Sequence, residues 1–263
     1  MTSEDILTTP PVPSDARIAY GSHRNQFLDL RLPSGNKNST PCPIIVNIHG
    51  GFWRARYNLD HASHLCAALT ALGVATANVE YRRVGDDSGG WPGTFADIRR
   101  AYAFLMENAR AHNLDAHRML VIGHSAGAQL ALCLAARERT LTRVISLAGV
   151  IDLQRAYELH LSNDAVVDFL HGAPSQVPDF YRQADPMRLS IPHARQILIH
   201  GSVDNQVPVE FSQAYVTAKR KYSGKEKEDI RLLEISGAGH FDLIDPRSQA
   251  WKQVEQSVLK MLT

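Results

Sequence analysis

Among the 263 residues, the five with the clearest chemical meaning are Gly123-His124-Ser125-Ala126-Gly127. A serine hydroxyl is a weak nucleophile until a neighbouring base takes its proton. The G-x-S-x-G pattern carries weight when an apolar strand runs into it and a helix leaves it, because the intervening turn then projects the serine in a strained conformation above a sheet. Both conditions hold here, with Met119-Leu120-Val121-Ile122 before the motif and Ala128-Gln129-Leu130-Ala131-Leu132 after it. Small residues at Gly123 and Gly127 let the turn close. The N–H of Ala126, at the start of the helix, is free to face a developing oxyanion. The chemistry these residues suit is attack on a carbonyl carbon.

An oxyanion needs a second donor, and His49-Gly50-Gly51-Phe52-Trp53 ends the apolar run Pro43–Ile48 where such a turn belongs. Glycine allows backbone N–H groups to approach a substrate oxygen with no Cβ in the way. Gly51 and Phe52 are therefore the expected donors beside Ala126; the plainer reading of the same residues is a strand-ending turn. In hydrolases built on an open α/β sheet the acid follows the serine and the histidine comes last. Gln196–Ile199 runs into His200-Gly201-Ser202-Val203-Asp204, and Ile230–Ile235 runs into Ser236-Gly237-Ala238-Gly239-His240. Ser125, Asp204 and His240 then all leave carboxyl ends of strands, where such sheets form their ligand crevice.

Other residues compete for these roles. Asp152, after the strand Val144–Leu147, is an alternative acid, whereas Asp242 and Asp245 lie so near His240 in sequence that solvating the loop or capping the last helix suits them better. His61 and His64 form an H-x-x-H pair with no third ligand nearby, so a solvated helix face is expected there and no metal. His124 is expected to pack beneath the turn.

The elements that position these residues follow from periodicity. Leu28, Leu30 and Leu32 alternate with Asp29 and Arg31, which predicts an antiparallel edge strand with one wet face. Short apolar runs at Pro43–Ile48, Val74–Val79, Met119–Ile122, Val144–Leu147, Gln196–Ile199 and Ile230–Ile235 predict a parallel sheet covered on both faces. Helical spacing fills Leu59–Leu72, Phe95–Ala111, Ala126–Arg137, Pro208–Tyr222 and Ser248–Leu262. The alternation implies the α/β class, with an open, doubly wound, mostly parallel sheet. Residues 1–19 form an N-terminal arm, extended on the surface at the proline-rich Thr8–Ser14, and 20–263 a single domain. Residues 151–192 exceed the length of one crossover and are expected to form a cap over the site, helical around Ala165–His171; the equal alternative is that their aromatics only seal the insertion to the sheet.

Composition narrows the function. With 28 Lys and Arg against 27 Asp and Glu, the net charge is +1, which leaves no basic field for nucleic acid or an anionic membrane. No apolar run approaches the length of a membrane span, and residues Met1–Thr9 do not read as a secretory signal, so a cytoplasmic location is expected. Cys42, Cys66 and Cys133 form no disulfide framework or CxxC pattern and are expected to be buried, reduced thiols. The mixed-charge run Lys219–Asp229 reads as a wet helix end and loop.

Taken in order, Tyr20-Gly21, His49-Gly50-Gly51-Phe52-Trp53, Glu80-Tyr81-Arg82-Arg83, Gly123-His124-Ser125-Ala126-Gly127, the Asp204 loop and Gly239-His240 resemble the α/β-hydrolase fold serine esterases with an HGGxW motif, in the kynurenine formamidase-like and small carboxylesterase branch. Phe52 stands where hormone-sensitive-lipase-like relatives have a third glycine. The resemblance implies an α/β-hydrolase fold and a Ser125–His240–Asp204 triad working through an acyl-enzyme, without metal or organic cofactor. It implies a small-molecule ester or formamide as substrate; a homodimer is compatible with it. Carboxylesterase activity is the first expectation and hydrolysis of N-formylkynurenine the second. A non-catalytic ligand-binding scaffold is the third, and peptidase activity is conceivable. Tyr81-Arg82-Arg83 is expected to serve packing and ion pairing near the crevice, and Val84–Gly93 to form a pocket wall or a helix-entry loop.

Overall fold

A computed structural model describes residues 3–35, 40–222 and 228–263. Eight strands form one sheet: β1 (Ala16–Ala19), β2 (Phe27–Arg31), β3 (Cys42–Ile48), β4 (Ala75–Val79), β5 (Leu114–His124), β6 (Arg143–Leu147), β7 (Arg195–Gly201) and β8 (Ile230–Ile235). Their spatial order is β1-β2-β4-β3-β5-β6-β7-β8. β1 and β2 are antiparallel to their neighbours, and every pairing from β4 to β8 is parallel.

The apolar runs became strands because each feeds both faces of the sheet. Ile44, Val46, Met119, Val121, Val144 and Leu198 point to one core, together with α2 (Gly93–Asn108), α3 (Ala126–Ala135) and α7 (Glu210–Tyr222). Their strand neighbours Ile45, Leu120, Ile122, Ile145 and Ile199 point to the other, under α1 (Ser63–Ala71) and α8 (Trp251–Leu262). Alternate side chains of a strand face opposite ways, so a run apolar at every position is what a doubly covered sheet requires.

Two expectations change. β2 is antiparallel, but the edge belongs to β1, which lies inside the segment read as an arm. Nor is the second face of β2 wet: Asp29 is buried against Arg17 of β1 at 2.7 Å, and Arg31 reaches the Val12 carbonyl at 2.5 Å. A four-residue strand of mostly exposed residues leaves little hydrophobic signal, yet it supplies the guanidinium that lets Asp29 be buried.

Residues 151–192 fold as three short helices, α4 (Leu153–Glu158), α5 (Ala165–Leu170) and α6 (Pro178–Ala184). Phe169 and Tyr181 are buried, and Phe169 stacks on Trp53 at 4.4 Å between ring centroids. Of the run Lys219–Asp229, residues 223–227 lie outside the described residues. Its described ends are drier than the charge pattern suggests. Lys219 turns inward to the carbonyls of Met187 and Leu189, and buried Glu228 accepts from the Ile191 N–H at 3.1 Å. Cys42, Cys66 and Cys133 are free and buried, and burial pushes the thiols of Cys66 and Cys133 up to about 12. Among the described residues, no helix is long and apolar enough to cross a membrane.

Candidate active site

β5 delivers its last residue, His124, directly to a turn in which Ser125 adopts φ +55° and ψ −118°, a conformation few L-residues take without strain. The turn is over-determined: the Ser125 N–H donates to the Leu147 carbonyl at 2.8 Å, and the Ser125 carbonyl accepts from Ala128 at 3.1 Å and Val150 at 3.2 Å. A side chain at Gly127 would collide with the carbonyl oxygen of Ile48, so only glycine lets the helix start this close to β3.

The residues after β3 come up against this turn. A Cβ on Gly50 would stand 3.0 Å from that of Ser125. Gly51, Phe52 and Trp53 then take three successive positive φ values, +111°, +49° and +56°. The first suits glycine, and the other two are held in place by packing: Trp53 is buried against Phe169 and donates from Nε1 to Gln129 Oε1 at 3.0 Å. Gln129 lies on α3, four residues beyond Ser125, and donates onward to the Ala184 carbonyl at 2.8 Å. One buried amide therefore joins the His49–Trp53 turn, α3 and the 151–192 insertion. On the outer side, Arg54 reaches Asp168 at 3.1 Å and the Asn163 carbonyl at 2.9 Å.

Beneath the turn lies a buried polar cluster. His49 Nε2 meets Glu80 Oε1 at 3.1 Å, and Glu80 also accepts from the N–H groups of Tyr81 at 2.9 Å and Leu59 at 3.2 Å. Arg83 pairs with Glu80 at 3.4 Å and donates to the Tyr57 carbonyl. Tyr81 stacks on His49 at 4.4 Å and donates from its hydroxyl to the His49 carbonyl at 2.8 Å. Tyr81 and Arg83 thus have the packing and ion-pairing roles expected of them. Glu80, the first residue of the Glu80–Arg83 motif, is the anchor of the group.

Asp204 and His240 meet as expected, Asp204 Oδ2 lying 2.7 Å from His240 Nδ1. Asp204 Oδ1 accepts from the N–H groups of Gln206 and Val207, both at 2.8 Å. His200 Nε2 stands 3.3 Å from Asp204 Oδ2 and 2.9 Å from the Val207 carbonyl. A carbonyl can only accept, so Nε2 carries the proton, and Ser212 donates its hydroxyl to Nδ1 at 2.7 Å. Burial works to raise the Asp204 carboxyl, but hydrogen bonds from His200 and His240 outweigh it and hold the group well below the usual carboxylate range. The carboxylate is charged and fully bonded, which is what an orienting acid needs.

Ser125 and His240 line one cleft together with Gly51, Phe52, Tyr57, His61, His124, Gln206, Phe241 and Leu7. His124 packs 4.6 Å from His240 between ring centroids and donates from Nε2 to its carbonyl at 3.1 Å, so it sits under the turn. Burial, with the charge of His240, keeps His124 well below its ordinary range, and burial beside His49 pushes His61 down to about 3. Both rings face the cleft as neutral imidazoles; His61, expected on a solvated helix face, is instead buried because its turn folds in against His49 and the cleft.

Asp152 is not in the group; it caps α4 by accepting from the Arg155 N–H at 2.9 Å. Asp242 accepts from the Gly239 N–H at 2.7 Å, and Asp245 pairs with Arg247 at 2.8 Å. Among the described residues no three or more His, Cys, Asp or Glu side chains are grouped to hold a metal. Gln129 and His200 went unnoticed in the sequence, although a glutamine within an otherwise apolar helix is a signal that a buried partner exists. Leu7, Tyr57 and Phe241 carry no motif.

The BD-FAE family model matches residues 28–220. The chain is 27% identical over 262 residues to esterase LipC of Mycobacterium tuberculosis, covering 87% of this chain and 60% of that protein. It is 25% identical over 259 residues to isoprenylcysteine alpha-carbonyl methylesterase ICME of Arabidopsis thaliana, with the same two coverages, 87% and 60%. The chain spans about three fifths of the length of the curated relatives it matches. Among solved structures, a truncated carbohydrate esterase from gut microbiota superposes with a TM-score of 0.79 at 20% identity, covering 96% of this chain and 97% of that one. Esterase B from Lactobacillus rhamnosis superposes with a TM-score of 0.78 at 18% identity, covering 99% and 89%. At such identities the likeness is one of fold, and the fold is that of the α/β-hydrolases.

Proposed function

The chain belongs to the BD-FAE family, and from that premise and the geometry around Ser125 we propose that it is a serine hydrolase that cleaves small carboxylic esters through an acyl-enzyme. The observation that carries this reading is the strained Ser125 turn opening into the same cleft as His240, whose Nδ1 is held 2.7 Å from a charged Asp204. Names of the relatives point the same way, since LipC is named an esterase and the Arabidopsis relative a methylesterase.

His240 Nε2 takes the Ser125 proton as Oγ attacks the ester carbonyl. Asp204 keeps the other ring proton on Nδ1, so Nε2 is the nitrogen free to accept. The N–H groups of Gly51, Phe52 and Ala126 receive the oxyanion, held by the Gln129 and Glu80 contacts before substrate arrives. Collapse of the intermediate releases the alcohol with the proton from His240. Water, activated by the same imidazole, then frees the acid. The 151–192 insertion is assigned as a cap that buttresses the oxyanion turn through Phe169 and Asp168.

Steady-state hydrolysis of p-nitrophenyl acetate and butyrate beside N-formylkynurenine, by wild type and Ser125→Ala, tests the proposal. The expected result is ester turnover that Ser125→Ala abolishes. A kcat/KM for N-formylkynurenine well above that for both esters would move the assignment to arylformamidase. No turnover of any of the three would leave the binding scaffold.

A further inference from the structure

The walls of the cleft come mainly from turns that leave the sheet: Phe52, Tyr57 and His61 after β3, Gln206 after β7 and Phe241 after β8. Leu7 is the exception, because it arrives from the other end of the chain. It belongs to a 3-10 turn, Ser3–Leu7, which makes no sheet hydrogen bond. The turn closes on itself, the N–H groups of Thr8 and Thr9 donating to the Asp5 carbonyl at 3.2 and 3.0 Å and the Thr9 hydroxyl at 2.7 Å.

What fastens this turn to the domain is Ile6. Its side chain is wholly buried in the same hydrophobic cluster as Leu243, Ile244, Ala250 and Val254, and the turn packs against Phe241–Leu243, next to His240. Farther along, the Val12 N–H donates to Ser63 Oγ at 3.0 Å and its carbonyl receives Arg31. The prolines between, Pro10 and Pro11, restrict the backbone dihedrals of the link. Ile6 faces inward while its neighbour Leu7 is 36% exposed and faces the cleft. A large apolar side chain held at the surface by a buried neighbour, and set beside the nucleophile and base, is placed to bound what enters.

We propose that Leu7 is a specificity-determining wall of the substrate cleft, anchored by Ile6, and that it restricts the cleft to esters with a short aliphatic group. The inference rests on the esterase reading above. Truncating Leu7 to alanine removes three carbons from the wall and opens room for added methylenes of substrate. Each methylene that becomes buried improves binding by about fourfold.

Two ester series test this: p-nitrophenyl esters from acetate to octanoate, which vary the acyl group, and alkyl acetates from methyl to hexyl, which vary the alcohol. With wild type, kcat/KM falls beyond short chains in at least one series. Leu7→Ala is expected to raise the long-to-short ratio in that series by about fourfold or more, Ile6→Ala to shift it the same way, and Leu7→Phe to lower it. Leu72→Ala, at an exposed leucine outside the cleft, is the control and leaves the ratio unchanged. Melting temperatures of the Leu7 variants confirm that they fold. An active wild type whose ratio in both series is unmoved by Leu7→Ala and Leu7→Phe overturns the assignment of the wall while leaving the esterase standing. A wild type inactive on both series overturns the esterase reading and the inference with it.

Discussion

Asp204→Asn separates what the acid does for catalysis from what it does for the fold. Its two oxygens have different partners: Oδ1 accepts from the N–H groups of Gln206 and Val207 at 2.8 Å, and Oδ2 faces His240 Nδ1 at 2.7 Å and His200 Nε2 at 3.3 Å. In asparagine the backbone N–H groups demand the amide oxygen at the Oδ1 position. The NH2 group then occupies the Oδ2 position and presents a donor to His240 Nδ1, which must accept. The ring proton moves to Nε2, the nitrogen that has to receive the Ser125 proton, and the base is disabled with its position intact. Loss of this orientation costs on the order of 10⁴ in kcat, or about 5 kcal/mol of transition-state stabilisation. Because the interaction belongs to the chemical step, kcat and kcat/KM fall together. Stability moves little, since both backbone bonds survive and the His200 proton keeps the Val207 carbonyl at 2.9 Å. Asp204→Ala is equally inactive but also strands the two N–H groups, at about 1–3 kcal/mol for each one left buried without a partner. The assay pairs p-nitrophenyl acetate hydrolysis with urea unfolding of all three proteins. An Asn variant retaining more than a tenth of wild-type kcat, or unfolding as early as the Ala variant, would refute this reasoning.

Two other outcomes follow from buried charges. Burial, reinforced by Asp152, pushes the Asp185 carboxyl up to about 6 from the ordinary 3.8, so the folded chain keeps a proton there that the unfolded chain has already released. Stability from this group is therefore full below about pH 4 and falls as pH rises to about 6, by up to about 3 kcal/mol. Asp185→Asn keeps an acceptor for the N–H groups of Leu153 and Met187 without the charge, so thermal scans should show its melting temperature level with wild type near pH 3.5 and about 5 °C higher at pH 7.5; an offset independent of pH contradicts this. Glu80→Gln breaks the pair with Arg83 and leaves one of the three donors around Glu80 facing an NH2 group. It should lower unfolding free energy by about 3 kcal/mol and kcat by on the order of 10–100-fold as the oxyanion turn loosens; kcat at the wild-type value in the destabilised variant would show that the turn does not depend on Glu80.

The parts of this protein legible in its sequence are those where one physical requirement repeats. A doubly covered parallel sheet needs apolar residues at every strand position, so β3 to β8 stand out. The strained turn at Ser125 needs its small flanking residues, and an acid and a base at strand ends stand out as candidates, so Ser125, Asp204 and His240 are legible; the structure sets Ser125 and His240 in one cleft and Asp204 against His240. What escapes notice depends on partners distant in sequence. β1 is four residues long and recognisable only once Arg17 is seen beside Asp29. Gln129 acts through Trp53, 76 positions away, and Glu80, although its motif was visible, acts through His49, 31 positions away, at hydrogen-bond distances that no local pattern encodes. The length of 151–192 marks an insertion; that Phe169 settles on Trp53 is a matter of three-dimensional packing. Leu7 reaches the cleft because Ile6 is buried and their turn packs against Phe241–Leu243.

The most direct measurement is rapid-quench hydrolysis of a p-nitrophenyl ester followed by intact-protein and peptide mass spectrometry. The expected result is a burst of one p-nitrophenol per chain, with the acyl group on Ser125 and neither burst nor adduct in Ser125→Ala. An acyl group found on another residue, or undiminished turnover by Ser125→Ala, would contradict the assignment of Ser125 as the nucleophile.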